Sequence, residues 1–81
     1  MDRKVVRVIW VDPHSVDEWT SPDTSSLEYP HKVETIGRLI KDEPRFIVVS
    51  LNIGLEDDPD VSCSIVIPRE CIVKMDEVQI E

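Results

Sequence analysis

The sequence predicts an all-β domain, a small five-stranded barrel with a long loop after its first strand. Three observations carry that expectation. Apolar residues fall in five short runs, most of them rich in β-branched side chains. Polar turn chemistry with Pro, Asp and Glu separates most of the runs. Where a period is readable it is two residues, the repeat of a strand with one face buried.

The first run, Val5 to Val11, is dense in valine and isoleucine and carries Trp10, a strong strand signal. The second, Val33 to Ile40, is less regular, and Gly37 at its centre reads as a bulge or a sharp bend at a barrel corner. In the third, Phe46-Ile47-Val48-Val49 is apolar on both sides, as suits a central strand or one buried between subunits. The fourth alternates Val61, Cys63, Ile65 and Ile67 with Ser62, Ser64 and Val66, which predicts one inward apolar face. The fifth, Cys71 to Ile80, has neither Gly nor Pro, so a helix is open to it. A strand is preferred because Ile72, Val73 and Val78 are poor helix formers.

The connections complete the architecture. Lys41-Asp42-Glu43-Pro44 and Glu56 to Asp60 read as polar turns of antiparallel hairpins. Pro68-Arg69-Glu70 reads as a single 3₁₀ turn. The long connection, Asp12 to Lys32, holds three prolines and a possible short helix from Ser15 to Trp19, with Ser15 as cap and Glu18 answering it. Strand, long loop, strand, hairpin, strand, hairpin, strand, 3₁₀ turn, strand is the order of an SH3-like or Sm-like barrel.

Composition narrows the function classes. The 81 residues are expected to form one domain, residues 1–81, with 41% hydrophobic and 32% charged side chains. A core of this size leaves roughly 3–5 kcal/mol of net stability, so a homo-oligomer is expected. The net charge of −8 argues against contact with duplex nucleic acid, which needs clustered Lys and Arg. It suits docking on a basic protein, or simply solubility. No signal peptide is predicted, and no run approaches the roughly 18 apolar residues of a membrane span. Cys63 and Cys71 lack a CxxC spacing and sit in apolar runs, so they read as buried free thiols of a reducing cytosol.

Enzymatic motifs are missing, and no catalytic residue, cofactor or metal is expected. With only Gly37 and Gly54 there is no phosphate-cradling loop, and there is neither a G-x-S-x-G elbow nor an H-E-x-x-H pair. His14, His31, Cys63 and Cys71 match no zinc spacing. Asp57, Asp58 and Asp60 lack the glycine and the bidentate glutamate of a calcium loop. The candidate ligand-binding residues are Trp10, His14, Trp19, Arg38 and Arg69: aromatic faces for stacking, with arginines for phosphate or carboxylate. Against this, Trp19 reads more readily as a plug over the open end of the barrel, and Asp12-Pro13-His14 as a solvated turn rather than an acid–base pair.

Taken as a set, Val5-Val6-Arg7-Val8-Ile9-Trp10-Val11-Asp12 with Trp19-Thr20, Val33-Glu34-Thr35-Ile36-Gly37-Arg38-Leu39-Ile40, and Ile65-Val66-Ile67-Pro68-Arg69 with Ile72-Val73 resemble a family of small uncharacterised β-barrel proteins of tailed phages and prophages. The acidic hairpin from Glu56 to Asp60 departs from that pattern. The resemblance implies phage infection and the host cytoplasm as context, and carries over no catalytic residue. The expectation is then a non-catalytic binding protein that inhibits a host factor or host defence system. It would dock on a host protein or, as an oligomer, sequester a small nucleotide signal. The alternative is a structural or assembly accessory protein of the phage particle.

Overall fold

The structure, a computed structural model, describes residues 3–13, 19–23 and 30–80. Five strands, β1 (Val5–Asp12), β2 (His31–Asp42), β3 (Phe46–Ile53), β4 (Val61–Pro68) and β5 (Ile72–Val78), follow one another in the expected order, with a 3₁₀ turn at Arg69–Cys71 before the last. They form one sheet in the order β4-β3-β2-β1-β5, and every neighbouring pair is antiparallel. No ladder among the described residues joins β4 to β5, so the sheet is open. The fifth run is a strand, and both hairpins form. The helix read at Ser15 to Trp19 lies, but for Trp19, outside the described residues.

The sheet curls because β2 changes partner along its length. Its β1 ladder runs from His31 to Arg38 and its β3 ladder from Arg38 to Asp42. Gly37 stands at the change. A Cβ there would meet the Ser50 carbonyl oxygen at 2.7 Å and Val49 Cγ1 at 2.8 Å, so glycine is the residue that lets β3 pass this close. The register shift itself falls three residues later, where Ile40 is the extra residue between Leu39 and Lys41. A second shift leaves Val73 of β5 as the extra residue against Ile9 and Trp10 of β1.

The inner face gathers one core. Val6, Val8 and Trp10 from β1, Leu39 from β2, Ile47 and Val49 from β3 and Ile67 from β4 are buried, with Val33, Ile65, Cys71, Ile72 and Met75 packed against them. All five strands contribute, as they must when one apolar face has only itself to fold around. Ser50 is the buried polar residue, and its Oγ shares a 2.5 Å hydrogen bond with Ser64 Oγ.

Two burial expectations need correcting. The alternation in β4 predicts four inward residues, yet Val61 and Cys63 are exposed, Ile65 is half-buried and only Ile67 is buried. A strand at the sheet margin has a neighbour on one side only, so its far end lies uncovered. Cys63 is therefore an exposed thiol and Cys71 a half-buried one. Cys63 also takes a left-handed backbone (φ 55°), which twists β4 while the register with β3 holds on both sides.

Candidate binding surface

Trp10 is a core residue. It is 8% exposed, and its indole Nε1 donates to Thr35 Oγ1 at 2.9 Å. In the β1–β2 register Val8 faces Thr35 and Trp10 faces Val33, so donor and acceptor share the inner side of the sheet. A ligand stacking on this ring would have to open the core.

Arg38 pairs with Val5 in the same ladder and so stands on the opposite face from Trp10. Its guanidinium donates to the Arg3 carbonyl at 2.8 Å, while Arg3 donates to the Ile40 carbonyl at 2.9 Å. These reciprocal bonds bind the leading segment to β2. Arg69, in the 3₁₀ turn, donates through Nε to the Glu43 carbonyl at 3.1 Å and pairs with the Asp42 carboxylate. It clamps that turn to the β2–β3 connection. Both arginines therefore carry structural partners, and they are anchored to different parts of the chain.

Trp19 is the opposite case. It is 104% exposed, so it does not fold back as a plug over the sheet, and the described residues beside it, Thr20 to Asp23, are exposed too. His14 lies outside the described residues. The structure thus leaves the five candidates dispersed: one in the core, two in backbone clamps, one in solvent and one not described.

Two surface features were missed by sequence reasoning. Where β2 leaves β3 a cleft of about 320 Å³ opens between Thr35 and Ile36 on one wall and Val49, Leu51, Cys63 and Ile65 on the other. Its signal is non-local, because it depends on the partner change at Arg38. A second hollow of about 440 Å³ lies at Pro44, Arg45, Arg69 and Glu70. The cleft has one charged residue in its lining, Glu34, and the hollow has Arg45, Arg69 and Glu70. Glu56, Asp57, Asp58 and Asp60 are all exposed at the tip of the β3–β4 hairpin.

Among the described residues no group of three or more His, Cys, Asp or Glu side chains is placed to hold a metal ion. No helix there is long and apolar enough to cross a membrane. Compared with protein-family models, with curated proteins and with solved structures, the chain matches none.

Proposed function

We propose that this chain is a phage-encoded, non-catalytic binding protein that inhibits a host factor or defence system by docking on a basic face of a host protein. It acts in the host cytoplasm as a homo-oligomer. The finer reading of the fold, an SH3-like or Sm-like barrel, belongs to the same proposal. The strand order, the bent β2 and the 3₁₀ link between β4 and β5 support it.

The observation that carries the docking reading is Trp19. A tryptophan of roughly 150–250 Å², at about 25 cal/mol per Å², forgoes roughly 4–6 kcal/mol while it stays in water. Burying it against a partner recovers that term, and tryptophan is the residue type most often found at the energetic centre of an interface. The net charge of −8 steers such an encounter toward basic surfaces. Sequestration of a nucleotide draws less support, since Trp10 is buried and Arg38 and Arg69 are held by partners within the chain.

The test compares the native chain with Trp19→Ala, each tagged and purified from host cells. One host protein enriched in stoichiometric yield, and retained at least about tenfold less by the variant, is the expected result. Heat released on mixing the protein with cyclic dinucleotides would replace docking with sequestration. The competing reading, a structural or assembly accessory, draws on the uncharged margin of the sheet at β4. Finding the chain in purified virions would favour it.

A further inference from the structure

We infer that β4 is the self-association edge: two copies join β4 to β4 antiparallel across a twofold axis and make one continuous sheet. The inference deepens the homo-oligomer part of the proposed function and is independent of Trp19.

Only two strands carry no charge, β3 (FIVVSLNI) and β4 (VSCSIVIP). For β3 the reason is plain, because it is flanked by β2 and β4. β4 has the composition of an interior strand and the position of an edge. It leaves Val61 42% exposed and Val66 61% exposed in a chain whose residues are 32% charged. Natural sheets protect such margins with lysines, bulges or charges, because an open row of N–H and C=O groups pairs with any strand that approaches. The other margin follows that rule: β5 carries Lys74, Asp76 and Glu77 and a bulge at Val73. One edge is guarded by charge along its length, whereas β4 has only the left-handed Cys63 and the terminal Pro68.

Charge selects the occupant. Two copies at −8 repel, and an uncharged strand is where they approach at least electrostatic cost. Antiparallel pairing adds one opposite-charge contact, at Arg45, in an end that also carries Glu43 and Glu70. It sets the acidic tip Asp57, Asp58 and Asp60, which leads into β4, beside the end of β4 on the second copy. At that end stands Arg45, whose carbonyl accepts from the Arg69 N–H at 2.9 Å. The Arg45 side chain is exposed and has no hydrogen bond or ion pair among the described residues. A twofold contact repeats this pairing at both ends and closes on itself, the commonest symmetry of soluble oligomers.

Light scattering on the purified full chain is the test, with two sets of edge variants. Ser62→Glu with Val66→Glu adds like charges along the shared edge at two exposed positions, and Val66→Glu alone is the milder form. Val73→Glu does the same to β5. The native chain is expected at twice 9.3 kDa and the β4 variants at the mass of one chain with the native circular dichroism. Val73→Glu and Trp19→Ala are expected to keep the native mass. A native chain that is monomeric at about 100 µM, a concentration at which a 1 µM dimer is nearly complete, overturns the inference. So does a dimer that both β4 variants leave intact. An assembly larger than two that Val73→Glu also dissociates overturns it in favour of head-to-tail pairing of β4 with β5. Because Trp19→Ala is read in the same experiment, loss of host docking and loss of the dimer are told apart.

Discussion

β1 and the connection that follows it each carry one tryptophan, and the chain treats the two oppositely. Trp10 is 8% exposed and hydrogen-bonded; nine residues later Trp19 is wholly in solvent. Residue type does not separate them. β1 has a ladder on both sides, β2 on one and β5 on the other, so its inward residues are covered from every direction. No ladder holds residues 19–23. Coverage by the inner face of the sheet, rather than residue type, decides burial here.

The largest expected effect breaks the buried half of that comparison. Trp10→Ala removes a ring packed among Val6, Val8 and Leu39 and should cost about 3–5 kcal/mol. In a chain with roughly 3–5 kcal/mol in hand, the variant is expected to lack a cooperative urea transition, as read by circular dichroism. A transition within about 1 kcal/mol of the native one would show that the core does not depend on this ring.

Next comes the glycine that lets the sheet fold over Trp10. Gly37→Ala puts a Cβ within 3 Å of the Ser50 carbonyl oxygen and of Val49 Cγ1. The oxygen belongs to backbone, so β3 itself must move. An expected loss of about 1–3 kcal/mol in urea follows. An unchanged midpoint would mean that β3 does not pass as closely as described.

A subtler change keeps the ring and removes only its partner. Thr35→Val is nearly isosteric and leaves the Trp10 indole N–H without its acceptor, a loss of about 1 kcal/mol. Because Thr35 also lines the cleft beside β3, the substitution tests whether that wall is held by the hydrogen bond. The measurement is the urea midpoint together with the emission of Trp10 in a Trp19→Phe background.

How far these positions are legible in the sequence depends on whether the cause is local. Trp10 in a valine-rich run announces β1, and the uncharged Phe46 to Val49 run announces a central strand. The 3₁₀ turn and both hairpins follow from Pro, Asp and Glu chemistry. By contrast β2 runs from His31 to Asp42, longer at both ends than its apolar run, because His31, Lys32, Lys41 and Asp42 pair through backbone while their side chains stay wet. The edge position of β4 is equally hidden. Alternation there predicts four covered residues, and coverage comes only at Ile67. The roles of Arg38 and Arg69 are illegible for the same reason: their acceptors, the carbonyls of Arg3 and Glu43, are distant in sequence.

The smallest expected effect on stability falls at the other tryptophan and sharpens the contrast most. Trp19→Ala touches nothing in the described fold, so the urea midpoint should stay within about 0.5 kcal/mol of the native value. The fluorescence lost with it should be the red-shifted, readily quenched part of the spectrum, leaving the blue-shifted emission of Trp10. A drop in stability near that of Trp10→Ala would mean that the ring packs against the sheet in solution, and the docking reading would lose its anchor. If stability holds while partner retention falls at least about tenfold, one tryptophan maintains the fold and the other meets the partner. The sheet that covers Trp10 ends before it reaches Trp19, and on the docking proposal that boundary divides fold from contact.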